Sequence, residues 1–451
     1  MFFSVFFLQF VLGNFLEIDL RLYKDSHSFK TKSNYYIDNY FLYLIPICLG
    51  TPPQCFHIFY DVNFTHLLIN PNMKNKTHYF EASQSTTVTK SSIEMNFNTI
   101  KSTVFSDFLY LDLMKFEFAW LYGTEVLQME AIYEGKMGFG RNYNNNTEKY
   151  HEKYSIVHKL YNSGKIKQKI FGHKYFHNRK YLRLYLGEIN LNEFNNNKQY
   201  PKCFVEASSK KLVEIDEIFD HLWSCELKGI HIYNEDEEKN PKSNPIFEFS
   251  FPNNNSVLFS TVSNLITGPI DQGTVLIEFI LSLPAAKTDC TKYSFHKKHI
   301  SIRCKFNVDV FQFPKIYFEL NGVTLILPPE NLFHKEYAMN TEKYVYKARF
   351  DFSPDYYFWT IGQAVLREYD MIFDMDEGSV GFWNSERISS GQNSDFLIKV
   401  IGKISCVIVF AIVIYLVILC ICKWRKKQEN KSKKDKLLSN ITKLNDFESL
   451  K

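Results

Sequence analysis

The chain has 451 residues, 45% hydrophobic, 17% aromatic and 23% charged, with a formal net charge of +4. That composition excludes a disordered or fibrous chain, leaves room for two hydrophobic cores, and favours strands over a helical bundle. So small a net charge gives no footing for nucleic-acid binding, although eight Lys/Arg gather between Lys423 and Lys436.

The elements follow in chain order. Met1–Leu12 is an apolar run too short to span a bilayer. It reads as the hydrophobic region of a signal peptide covering residues 1–16, with cleavage near Gly13. Short apolar, aromatic-rich strands are expected at Tyr40–Leu49, Phe56–Tyr60, Phe105–Leu113, Leu182–Leu186, Ile316–Leu320 and Met371–Asp374. Tyr150–Tyr161 is the best helical signal. The Asn-rich runs Asn142–Asn146, Asn195–Asn197 and Asn253–Asn255 read as surface loops. Ile404–Cys422 carries 19 residues without a charge, long enough to cross a membrane as a helix. Lys423, Arg425, Lys426 and Lys427 follow at once and put that side in the cytosol. The expectation is a single-pass type I protein of the secretory pathway or cell surface, its ectodomain lumenal or extracellular. A stalk at 390–403 leads to the span at 404–422 and a basic tail at 423–451.

Six cysteines precede the span: Cys48, Cys55, Cys203, Cys225, Cys290 and Cys304. An even count in an oxidising compartment implies three disulfides. Nearness in sequence pairs Cys290 with Cys304 and Cys203 with Cys225, leaving Cys48 with Cys55; sequence alone leaves the connectivity open. Asn63, Asn75, Asn145 and Asn254 each head an Asn-x-Ser/Thr sequon. A glycan on Asn63 would keep a cleft there from closing on a substrate.

A segment near the start recurs about 200 residues later. Leu49-Gly50-Thr51-Pro52-Pro53-Gln54 leads to Phe59-Tyr60-Asp61-Val62-Asn63, and the later copy is Phe259-Ser260-Thr261-Val262-Ser263-Asn264-Leu265-Ile266-Thr267-Gly268-Pro269. Each is followed by a short element ending in glycine, Lys136-Met137-Gly138 and Thr360-Ile361-Gly362. Two similar halves facing each other put Asp61 and Ser260 at one cleft.

These segments, with Tyr133–Gly140, Leu186–Ile189, Phe313–Ile316, Asn321–Val323 and Trp359–Phe382, resemble in order the pepsin-like aspartic proteases, from about Tyr40 to Trp383. The resemblance implies a mainly β, bilobal fold, with lobes at 17–192 and 193–389 around a cleft for an extended peptide. Asp61 matches the first catalytic aspartate, and Ser260 stands where the second belongs. Val62 replaces a threonine whose hydroxyl bridges the lobes, while Thr261 keeps its counterpart. Asn63 and Val262 replace glycines, and a β-branched Val262 is strained if its φ is positive. In the flap, Phe97 keeps a ring and loses the phenol, and Asn98, Ile100 and Val104 fall where the family has glycines. Fewer than about 30 residues separate Gly13 from the Tyr40 strand, short for the inhibitory segment of a family zymogen.

The chemistry needs two close carboxylates that cannot both ionise. A lone Asp61 is expected to titrate at about 4. On a strand Leu258 and Val262 share the face of Ser260, and both are apolar; Glu248 and Asp271 lie beyond loop signals. The reading is a catalytically impaired, membrane-anchored member of the family that binds a peptide or protein in its cleft. The alternatives are an active endopeptidase with an unconventional site and a surface adhesin or structural ectodomain. No cofactor, metal or nucleic acid is expected. Cys290, His296, His299 and Cys304 read as a disulfide with loop histidines rather than a zinc site, and His173 and His177 as loop histidines.

Overall fold

The computed structural model describes residues 15–23, 42–70, 80–97, 100–112, 114–125, 135–141, 154–176, 181–188, 200–205, 222–233, 244–295, 298–338 and 343–384. All belong to one compact unit, Met1–Asn384. The stalk, span and tail expected at 390–451 lie outside them, as do most of the signal peptide and Asn142–Asn146 and Asn195–Asn197. Among the described residues no helix is long and apolar enough to cross a membrane.

The earlier half of the chain gives β1 (Phe15–Tyr23), β2 (Leu42–Leu49), β3 (Gln54–Asp61), β4 (Leu67–Ile69), β5 (Thr89–Phe97), β6 (Ile100–Leu111), β7 (Met114–Glu125), β8 (Gly135–Gly138), helix α1 (Ile156–Asn162), β9 (Ile170–Phe176) and β10 (Tyr181–Gly187). Then come β11 (Lys202–Phe204), β12 (Ser224–Ile232), β13 (Phe247–Phe259), β14 (Ile266–Pro269), helix α2 (Ile270–Ser282), β15 (Cys290–Phe295), β16 (His299–Lys305), β17 (Ile316–Leu320) and β18 (Val323–Leu327). Helix α3 (Pro329–Leu332), β19 (Phe333–Ala338), β20 (Lys343–Ala348), β21 (Phe350–Ser353), β22 (Trp359–Ile361), helix α4 (Gln363–Leu366), β23 (Tyr369–Asp374) and β24 (Ser379–Asn384) complete the order.

The fold is mainly β, as expected. One sheet runs β11-β24-β23-β9-β10-β1-β2-β3-β8-β4-β7-β6-β5, the other β18-β17-β12-β13-β22-β14-β21-β16-β20-β19 with β15 on β16. The first sheet therefore recruits β11, β23 and β24 from beyond residue 192. All three expected disulfides form. Cys48 and Cys55 face each other across the β2–β3 hairpin, and Cys290 and Cys304 across β15–β16. Cys203–Cys225 ties β11 of one sheet to β12 of the other.

The internal repeat is realised as a repeated strand order. β3 runs parallel to β8, β8 antiparallel to β4, and β4 parallel to β7. In the other sheet β13 runs parallel to β22, β22 antiparallel to β14, and β14 parallel to β21.

Four expectations are corrected. β1 occupies part of the stretch that precedes Tyr40, with Ile18 and Leu20 buried and Asp19 exposed in strand alternation. It overlaps the span 1–16 by two residues, and cleavage near Gly13 leaves it whole. Asn253–Asn255 lies inside β13, not in a loop. The ladder accommodates it with an irregularity: Ser250 faces Gly229 and Asn255 faces Leu227. Glu248 likewise lies on β13, with its register partner His231, and is exposed. Helix α2, 13 residues long, gave little helical signal because Val275, Ile277, Phe279 and Ile280 are strand formers. It forms because Leu276, Ile277 and Ile280 bury one stripe. A Cβ on Gly273 would lie 2.0 Å from the Phe352 ring, so only glycine lets α2 approach β21.

Candidate functional site

The site is built from two strand ends. β3 ends at Asp61, opposite Gly138. β13 ends at Phe259 opposite Ile361, and the next residue, Ser260, donates its N–H to the Ile361 carbonyl at 2.9 Å. In each half a loop then crosses back over the partner strand. A Cβ on Gly138 would lie 2.0 Å from the Phe64 carbonyl oxygen, and one on Gly362 2.4 Å from that of Leu265. Close backbone approach is therefore why each repeat ends in glycine. Backbone bonds fasten both crossings: Gly138 N–H to the His66 carbonyl, Gly140 N–H to that of Phe64, and Gln363 N–H to that of Ser263.

One hydroxyl joins the halves beneath the site. Thr261 Oγ1 accepts the Val62 N–H at 3.2 Å and donates to the Tyr60 carbonyl at 3.4 Å. Both neighbours of Asp61 thus bond the residue that follows Ser260. Val62 is buried and offers no return hydroxyl, so the bridge has one side. The Thr261 carbonyl accepts from Gln363 Nε2 at 2.8 Å, and Gln363 Oε1 accepts from the Tyr175 hydroxyl at 2.9 Å.

Asp61 is 7% exposed, and its Oδ1 accepts the Asn63 N–H at 2.8 Å. Burial raises its carboxyl above the ordinary value, against the downward pull of Lys136 and of the Asn63 N–H. The expectation that a lone aspartate has no cause for a raised pKa is therefore corrected: desolvation supplies one without a second carboxylate. Ser260 is 5% exposed, and its Oγ accepts the Ser263 N–H at 3.1 Å. Among the described residues Asp112 is the one non-glycine with positive φ, so neither Asn63 nor Val262 is strained by losing glycine.

The flap region is a hairpin of β5 and β6 in which Phe97 is paired with Ile100 and residues 98–99 lie outside the described set. Val104 is buried in β6, packed with Leu68, Ala119, Leu121 and Tyr154. His173, expected in a loop, sits in β9 with no exposure, its Nδ1 hydrogen-bonded to the Tyr60 hydroxyl at 3.1 Å. Burial pushes its pKa down to about 3. The Cys290–Cys304 disulfide takes both thiols of the zinc reading; His299 instead pairs with Asp351 at 2.8 Å, and His296 and His177 lie outside the described residues.

Lys136, Tyr175 and Gln363 went unrecognised in the sequence. Lys136 carried one signal, a cation in an apolar strand segment; the other two carried none.

A protein-family model described as eukaryotic aspartyl protease matches residues 42–384. No curated protein matches the chain.

Proposed function

The chain belongs to the eukaryotic aspartyl protease family, and from that premise we propose that it is a catalytically impaired member, a pseudoprotease that binds an extended peptide or protein in the cleft between its halves. The reading includes a membrane span at 404–422 and a lumenal or extracellular site. One observation carries it: Ser260 stands at the position equivalent to Asp61, its hydroxyl already accepting the Ser263 N–H. A serine hydroxyl cannot share a proton with Asp61 as a second carboxylate would. The lost Val62 hydroxyl supports the same reading. Peptide binding survives the loss of chemistry because it needs only an edge and side-chain contacts. β5 is the last strand of its sheet and offers such an edge.

A second reading, an active endopeptidase of unconventional mechanism, is favoured by the raised Asp61 carboxyl. A carboxyl kept protonated can still donate to a substrate carbonyl.

Incubation of the purified ectodomain with a diverse peptide library across the acid range separates the two. The expected result is no cleavage by the natural chain and a gain of cleavage in Ser260→Asp. Turnover by the natural chain that disappears in Asp61→Ala would overturn the pseudoprotease reading.

A further inference from the structure

We infer that the outer end of β16, β19 and β20 is a contact surface for a phospholipid bilayer, an inference that goes beyond cleft binding and rests on the membrane-span reading of 404–422.

Strand register puts the side chains in place. β16 pairs with β20, and β20 with β19, which ends its sheet. Tyr346 faces Cys304 and Lys335, and Tyr344 faces Tyr337. Residues two apart on a strand share a face, so Tyr346, Tyr344, Lys335 and Tyr337 stand together. Phe306, just past β16, completes the group: its ring stacks on Tyr346 at 5.2 Å and meets Tyr344 at 6.1 Å. Tyr337 meets Tyr344 at 5.2 Å. Tyr346 packs on the core, whereas Phe306, Tyr337 and Tyr344 are 44%, 46% and 50% exposed. Single exposed rings are ordinary on a protein surface, but a continuous row of them marks an interaction site.

The chemistry of the row selects its occupant. Lys335 Nζ lies 4.0 Å from the Tyr344 ring centroid and 4.4 Å from that of Phe306. Among the described residues of the three strands this face carries that one cation and no carboxylate. Glu336, the acid of β19, turns to the other face and meets Arg303 and Lys347. Tyrosine rings with polar tips, and a lysine stem with its charge at the end, are side chains that settle at headgroup depth. The ammonium complements lipid phosphate, and nothing on this face repels it. β19 sets the depth. The outer N–H and C=O groups of an edge strand cannot enter hydrocarbon, so the rings reach the interface while the strand stays above it. Residues 385–403 separate β24 from the span and reach at most roughly 65 Å. A tether of that length keeps the ectodomain beside one leaflet at high effective concentration, where a weak contact suffices.

The unit Met1–Asn384 holds both sheets and all three disulfides, so it is tested without the span, by flotation with phosphatidylcholine vesicles. The natural unit is expected to float with the vesicles. Tyr337→Ser combined with Tyr344→Ser, folded by circular dichroism, is expected to lose about tenfold in partitioning. Lys335→Glu, which sets a carboxylate against the lipid phosphates, weakens flotation as well. Tyr344→Trp keeps it, and brominated acyl chains quench the added fluorescence. Tyr357→Ser leaves it unchanged: that ring is more exposed still, but it follows Tyr356, which meets His299 at the opposite end of β16. No flotation of the natural unit, or undiminished flotation of the folded double variant, overturns the inference alone. A dimer that the double variant abolishes, without flotation, assigns the rings to a second copy and overturns it too. Release of the full-length chain from membranes by alkaline carbonate overturns the span reading and the inference with it.

Discussion

Asp61 is held by opposed forces of different origin. Burial favours its neutral form, whereas Lys136 and the Asn63 N–H favour the charge, and burial prevails. A carboxyl raised in the folded state binds its proton more readily than in the unfolded chain. Its contribution to stability is complete below the ordinary value of 3.8 and is lost as pH rises through the folded value. Asp61→Asn keeps an oxygen to accept the Asn63 N–H and removes the ionisation. The variant is expected to melt above the natural protein at neutral pH, the gap closing as pH falls below the ordinary carboxylate range. Thermal melts at several pH values check this. A variant that melts lower at neutral pH would mean that the carboxylate is ionised in the fold, its pairing with Lys136 outweighing burial.

Individual elements show what a sequence reveals and what it hides. β2, β3, β10, β17 and β23 were legible because their apolar and aromatic residues are local facts of the chain. The repeated glycine elements were legible as well, and the fold gives their reason: each glycine lies under a site loop. β1 was masked because a signal peptide and a buried strand both call for apolar residues. α2 was masked because its buried stripe is made of strand formers. Asp61, Ser260 and Thr261 could be found from flanking residues, whereas Gln363 reaches Thr261 across 102 residues and Tyr175 reaches Gln363 across 188. No local pattern encodes such pairings. The glycine argument makes a graded prediction. Gly138→Ala and Gly362→Ala each drive a methyl into backbone oxygen and are expected to cost roughly 3 kcal/mol or more. Gly164→Ala meets nothing within 4 Å at φ +67° and is expected to cost about 1 kcal/mol of backbone strain alone. Urea denaturation midpoints rank the three, and equal losses would refute the close-approach explanation.

At the scale of the whole molecule, buried polar contacts cross between the parts that the repeat creates. The Thr261 bridge is one, and the Trp223 Nε1–H donating to the Phe139 carbonyl at 2.9 Å is another. Beneath Asp61 the Tyr60–His173 pair lies in an aromatic setting with Tyr175 and Phe373. His173 Nε2 has no hydrogen-bond partner among the described residues. An imidazole so placed stays neutral down to about pH 3, while in the unfolded chain it takes a proton near 6.5. Its contribution is therefore present above 6.5 and is lost as pH falls from there toward 3, by up to a few kcal/mol in all. Dyad chemistry needs one carboxyl protonated, a state favoured by acid, so the residue beneath the site opposes the conditions that the parent chemistry prefers. Replacing both partners, Tyr60→Phe with His173→Leu, leaves no orphaned hydroxyl and removes the titration. The double variant is expected to lose less of its denaturation midpoint between pH 6.5 and 4 than the natural protein does. Parallel decline in both would assign the acid sensitivity elsewhere, first to His334, which burial, Arg349 and Lys347 also keep neutral.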